Sequence, residues 1–222
     1  MRLVVWAVLV VLAGCGRGVP ENARVVVAGD SVMAWNRSAG GAVADELSRL
    51  LAEPVGDVSL PYAKVTGTSA LPGLDIRRQV AGLSARWVVL NGGANDLGVG
   101  CDCTDCGDVL ARLISDDGRS GAIPALVAGL RARGSRVLWA DYYTAPVYAG
   151  TACTRPYDRL QARLERLAAA TPGMELVDMG AVLPSSDETL FSRDRTHPSP
   201  AGSARIAAQI AERLRAVDPA LR

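Results

Sequence analysis

The sequence predicts a parallel β-sheet covered on both faces by helices, and three observations carry that expectation. Short unbroken apolar runs recur, as in Val25–Ala28 (VVVA) and Trp87–Leu90 (WVVL). Runs of that length without alternation belong to strands buried on both faces. The segments between them repeat their apolar residues at helical spacing. Strand-like and helix-like stretches then alternate to the end of the chain, with no internal repeat, low-complexity tract or second domain boundary. That alternation gives one α/β domain with parallel strands.

The elements follow in order. Val25–Ala28 is the first strand. Val43, Leu47, Leu50 and Leu51 lie on one face of a helix that Pro54 stops. Val55–Leu60 is a second, weaker strand, and Asp75–Leu83 a short helix. Trp87–Leu90 is the third strand. Ile123–Leu130 is a helix ending near Gly134, and Ser135–Asp141 the fourth strand. Tyr157, Leu160, Leu164 and Leu167 mark another helix, followed by a fifth strand at Met174–Asp178. Pro200–Val217 is the last helix, with Ser199 as N-cap and Pro200 at the first helical position. The stretch Leu97–Arg119 is rich in Gly, Asp and Cys and weakly periodic, and reads as a long loop that cysteines could pin.

The composition narrows the chemistry. The 222 residues carry a formal charge of +1, which gives no basic stripe for nucleic acid. Half of the chain (49%) is hydrophobic, enough for one full-sized core. Phe191 is the only Phe, so Val, Leu and Ala fill most of that core. His197 is the only histidine, which excludes a multi-histidine metal site and leaves one imidazole for catalysis.

The N-terminus reads as separate from the fold. Arg2 precedes an apolar run, Leu3–Ala13, too short to span a bilayer comfortably and shaped like a signal peptide. It ends in Leu12-Ala13-Gly14-Cys15, which resembles the lipobox of bacterial lipoproteins. The resemblance implies a signal peptide over 1–14, a diacylglycerol on Cys15, a tether over 15–23 and a single domain over 24–222. The chain would then be held by lipid to a bacterial membrane outside the cytoplasm, on the periplasmic side or at the cell surface. A plain secretory signal or an uncleaved anchor are the alternatives. Four cysteines remain, Cys101, Cys103, Cys106 and Cys153, and an even number in an exported chain suggests two disulfides. A Cys101–Cys103 bridge is the least comfortable, so Cys153 is expected to tie back to the 101–106 cluster, with its partner open. A four-cysteine zinc site is the competing reading, although Cys-x-Cys-x-x-Cys is not the usual pair of knuckles.

Four motifs fall at strand ends or before the last helix. Gly29-Asp30-Ser31 leaves the first strand through a tight turn that glycine permits, placing Ser31 near a helix N-terminus. Gly67 follows the second strand. Gly93-Ala94-Asn95-Asp96 follows the third, where an Asn amide can face a substrate oxygen. In Asp194-Arg195-Thr196-His197, the spacing lets a carboxylate fold back onto the imidazole and fix the tautomer that leaves the other nitrogen free as a base. Each alone is also an ordinary turn or cap.

Together, the order Ser, Gly, Asn, Asp/His resembles the SGNH hydrolases, also called the GDSL esterase/lipase family, from Arg24 to about Leu214. The Pro198 and Gly202 that follow His197 also look like the family's continuation. The resemblance implies a flavodoxin-like three-layer α/β/α sandwich around a five-stranded parallel sheet. It implies Ser31 as nucleophile, His197 as base and Asp194 as the group orienting it. The oxyanion hole would use the N–H groups of Ser31 and Gly67 and the side chain of Asn95. Val32 stands where the family's name-giving motif has Leu, and Ala63 where an Asn is often found. The cysteine-rich stretch after Asp96 is not part of the family pattern. The resemblance also implies ester hydrolysis that needs neither a metal nor an organic cofactor. The chain is expected to be a monomer acting on short-acyl esters such as acetylated envelope or exported glycans. Lipid or aryl esters are the alternative substrates, and a non-catalytic binding lipoprotein the rival class.

Overall fold

The computed structural model describes residues 18–67, 72–101, 103 and 106–221. The expected signal peptide 1–14, Cys15 and the first residues of the tether lie outside them. Five parallel strands form one sheet in the order β2-β1-β3-β4-β5: β1 Val25–Ala28, β2 Val55–Asp57, β3 Trp87–Leu90, β4 Arg136–Ala140 and β5 Met174–Val177. The helices are α1 Ser31–Ala34, α2 Val43–Leu51, α3 Ile76–Gln79, α4 Ala94–Gly100, α5 Gly107–Leu113, α6 Ala122–Ala132, α7 Thr154–Ala170 and α8 Pro200–Val217.

Strand side chains alternate between two cores because the strand period is two. Val25 and Val27 of β1 face one core with Trp87, Val89, Leu138 and Ala140, under α2 and α8. Val26 and Ala28 face the other with Val88, Leu90, Val137 and Trp139, under α3, α5, α6 and α7. Burial on both sides explains why β1, β3 and most of β4 read as unbroken apolar runs. This is the three-layer sandwich with a five-stranded parallel sheet. Sequential strands pair to opposite sides of β1: Val25 opposes Val55 of β2 and Trp87 of β3. The chain therefore reverses direction across the sheet at the carboxyl ends of β1 and β3, where α/β folds place their sites.

The structure departs from the sequence expectation in three places. β2 stops at Asp57, because the Asp57 side chain accepts from the N–H and hydroxyl of Ser59 and bends the chain, although Val58 and Leu60 still donate to Val27 and Gly29. The short helix near Asp75 has one turn, capped by the Asp75 carboxylate on Arg77 N–H. The stretch from Leu97 to Arg119 is not an extended loop. It holds the end of α4 and all of α5, whose Val109, Leu110 and Leu113 are buried. Two disulfides pin it: Cys101–Cys106 joins the end of α4 to the start of α5, and Cys103–Cys153 ties it to the start of α7.

Asp141, just after β4, is 1% exposed. Its Oδ1 accepts from Met179 N–H at 3.0 Å, and its Oδ2 has no hydrogen-bond partner among the described residues. Burial, followed by repulsion from Asp178, pushes its pKa up to about 7. An unfolded aspartate titrates near ~4, so the folded chain holds an extra proton between the two values. Asp141 therefore makes stability fall as the pH rises from about 4 to about 7, and nothing further is lost above. Asp141→Asn keeps the Met179 bond, and its stability advantage over wild type should grow across that window and level off. Urea titrations at stepped pH check this, and a pH-independent difference would contradict it.

Candidate active site

Ser31 opens α1 at the carboxyl end of β1, in a turn that only glycine can make. Gly29 has φ +142°. A Cβ there would sit 2.0 Å from Asn91 Oδ1. The Gly29 peptide is clamped by Gln79, which accepts from its N–H at 2.9 Å and donates to its carbonyl at 3.1 Å. Asp30 follows as the N-cap of α1, its Oδ1 accepting from Val32 N–H at 3.0 Å. Asn91, at the end of β3, accepts from Asp30 N–H and donates back to Asp30 Oδ1, both at 3.0 Å. The Tyr142 hydroxyl donates to the other Asp30 oxygen and accepts from Ala94 N–H at 3.1 Å. Burial raises the Asp30 pKa above the ordinary value, against the lowering effect of the bonds from Tyr142, Val32 and Asn91.

His197 reaches the same place from 166 positions away. Its loop is closed by a short antiparallel bridge between Phe191 and Pro198 and by Ser192 N–H donating to the His197 carbonyl at 2.8 Å. Asp194 folds back as the spacing requires: its Oδ1 accepts from His197 N–H at 3.0 Å, and its Oδ2 lies 2.6 Å from His197 Nδ1. Partial burial pushes the Asp194 carboxyl up, but the backbone and ring of His197 and the Thr196 N–H outweigh it and hold it below the ordinary carboxylate range. His197 Nε2 lies 2.8 Å from Ser31 Oγ. Trp35, one helical turn after Ser31, stacks on the imidazole with ring centroids 3.8 Å apart and planes 7° from parallel. Its Nε1–H donates to Ser192 Oγ at 2.8 Å, so the ring is fixed at both ends. An imidazole held this way can take a proton from a serine hydroxyl with one nitrogen while the carboxylate stabilises the charge on the other.

Asn95 sits in the first turn of α4, after Gly93 at φ +119°. Its Nδ2 donates to the Ala63 carbonyl at 3.0 Å, which aims the amide. Asp96 beside it accepts from the N–H groups of Val65 and Thr66, each at 2.9 Å, and holds the loop after β2. Ser31, Asn95, Asp194 and His197 line one cleft of about 400 Å³. Trp35, Tyr62, Tyr142, Tyr148 and Tyr157 supply aromatic wall, and Cys153 brings the Cys103 disulfide to its edge.

Gly67 is not among the residues lining that cleft, contrary to the expectation that it supplies an oxyanion donor. The loop turns back earlier, at Leu60–Ala63, and then runs against α3 through the Lys64–Asp75 bridge. Gly67 is packed against the Asp75 carboxylate, and its carbonyl accepts from Arg77 Nη2 at 3.0 Å. Pro61 and Tyr62 are the residues of this loop that reach the cleft. The sequence reading also missed Trp35, Asn91 and Tyr142. Asn91 directly after an apolar strand, and Trp35 one turn beyond Ser31, were the available signals.

A family model described as GDSL-like lipase/acylhydrolase matches residues 27–205. No curated sequence matches the chain at a significant level. Solved structures share the fold at low identity. A GDSL-like lipase from Bacteroides thetaiotaomicron is 17% identical with a TM-score of 0.61, over 87% of this chain and 88% of that one. An α/β hydrolase enzyme from the Lake Arreo metagenome is 19% identical with a TM-score of 0.63, over 86% and 94%. A family two carbohydrate esterase from Clostridium thermocellum is 14% identical with a TM-score of 0.60, over 88% of this chain and 64% of that one.

Tyr142→Phe removes the hydroxyl that bridges Asp30 and Ala94. A buried carboxylate losing a donor costs ~1–3 kcal/mol, so the variant should unfold at correspondingly lower urea. An unchanged midpoint would show that the bridge contributes nothing.

Proposed function

Because the chain belongs to the GDSL-like lipase/acylhydrolase family, the SGNH hydrolases, and is an ester hydrolase, we propose that Ser31 is the nucleophile of a two-step acyl transfer. The observation that supports this most directly is the continuous line from Asp194 Oδ2 through the His197 ring to Ser31 Oγ, at 2.6 and 2.8 Å. His197 Nε2 takes the Ser31 proton as Oγ bonds to the ester carbonyl carbon. The negative charge moves to the carbonyl oxygen, which the Ser31 N–H and the Asn95 amide stabilise. His197 then gives its proton to the departing alcohol, leaving the acyl group on Ser31. Water enters, gives a proton to His197 and bonds to the acyl carbon. The acid leaves and Ser31 recovers its proton.

The substrate in this reading is a short-acyl ester, such as an acetyl group, on an exported or envelope glycan. Aromatic residues of the cleft, Trp35, Tyr62, Tyr148 and Tyr157 among them, offer faces on which a sugar ring can stack, and Thr144 stands beside them. The same fold carries a carbohydrate esterase in Clostridium thermocellum. The two disulfides suit an oxidising, extracytoplasmic compartment. Among the described residues no helix is long and apolar enough to cross a membrane. Lipid attachment at Cys15 is the proposed means of retention, resting on Leu12-Ala13-Gly14-Cys15.

A serine-directed fluorophosphonate should label the protein and fail to label Ser31→Ala; a folded wild type that resists the probe would favour a non-catalytic binding module. Asn95→Ala should lower kcat by ~10²–10³ while circular dichroism stays native. Near-normal turnover would remove Asn95 from the oxyanion role.

A further inference from the structure

At the mouth of the cleft, the chain holds an exposed aromatic ring on strained backbone. Ala63 N–H donates to the Leu60 carbonyl at 3.3 Å and closes a turn with Pro61 second and Tyr62 third. Proline fixes φ near −65° at the second position, and Tyr62 has φ +64° at the third. That is the pattern of a type II turn, whose third position normally holds Gly or Asn. A bulky residue in the left-handed region is strained. Burial does not offset that strain, since Tyr62 is 78% exposed. Glycine would make the same turn without strain, and strain of this kind clusters where ligands are held.

The turn is also fixed to the reacting groups. Leu60 N–H donates to the Gly29 carbonyl at 3.0 Å, two residues before Ser31. The Ala63 carbonyl accepts from Asn95 Nδ2, also at 3.0 Å. Tyr62 therefore stands at a set position relative to both Ser31 and Asn95, in the lining of their cleft.

We propose that Tyr62 is a specificity-determining platform on which the alcohol half of the substrate, the pyranose ring of an acylated glycan, stacks while its ester carbonyl lies at Ser31; this rests on the esterase reading above. A ring seated on an exposed side chain keeps its other face in water. A sugar satisfies that arrangement, because one face of C–H groups packs on the aromatic ring while its hydroxyls stay hydrated. An alkyl chain would leave its apolar surface wet.

The test compares wild type, Tyr62→Gly and Tyr62→Phe on methyl 6-O-acetyl-glucoside and on ethyl acetate, a ring-free ester. Tyr62→Gly should raise KM for the sugar ester about three- to tenfold at constant kcat, the range of an aromatic contact. It should change kcat/KM for ethyl acetate less than for the sugar ester, and hold or raise the thermal midpoint, because the strain is relieved. Tyr62→Phe, which keeps the ring, should restore the wild-type KM. If wild type prefers the sugar ester and Tyr62→Gly keeps that preference, or slows both esters equally, the platform is overturned and the esterase reading stands. A wild type that cleaves ethyl acetate without preferring the sugar ester overturns the glycan class and the platform with it. A wild type that cleaves neither overturns the short-acyl substrate reading, and the platform with it.

Discussion

The Asp30 carboxylate is buried where three parallel strands end, and the positions of the reacting groups depend on how it is satisfied. One oxygen caps α1 and accepts from Asn91 at the end of β3. The other accepts from Tyr142 just beyond β4, whose hydroxyl in turn receives the Ala94 N–H beside Asn95. A carboxylate removed from water is tolerated only when its lone pairs are filled. Filling them locks the exits of β1, β3 and β4 together. Ser31 and Asn95 are thereby set against each other by a residue that takes no part in the proposed chemistry.

The imidazole is held by a different logic. His197 lies on a loop, but it is gripped on one edge by Asp194 and on one face by Trp35. The Asp194 contact is local, three residues along the chain. The Trp35 contact is long-range and comes from the residue just after α1, the helix that Ser31 opens. One short stretch of chain, Ser31 to Trp35, therefore presents both the serine and the ring stacked on its partner. Tyr143 adds a further tie by donating to the Thr196 carbonyl at 2.9 Å. Rigid support of this kind keeps a proton-transfer pair at hydrogen-bond distance.

The cysteine-rich stretch shows how local reading and packing diverge. Its composition suggested a loop, but Val109, Leu110 and Leu113 supply one apolar face that becomes helical once α6 and α7 give it a surface to pack on. The pairing of Cys103 with Cys153 depends on α7 starting beside the end of α4, which no spacing rule reveals. Gly67 shows the converse. Its place in the motif order was legible, but the earlier turn at Leu60–Ala63 directs the chain so that Gly67 meets Asp75 and Arg77 instead of the cleft.

By itself the sequence determined the layered α/β fold, because burial on both faces leaves unbroken apolar strands. It also determined the Asp194 to His197 contact, because a three-residue spacing closes within one turn. Tertiary structure alone decided what stands around those groups: Asn91 and Tyr142 on Asp30, Trp35 on His197, the disulfide partners, and Tyr62 at the cleft mouth. Each of these depends on which strand ends lie side by side, and strand order arises from packing the whole sheet. No local pattern encodes it. Gly29-Asp30-Ser31 is an ordinary turn in the sequence; the neighbouring strands place its serine 2.8 Å from the chain's only histidine.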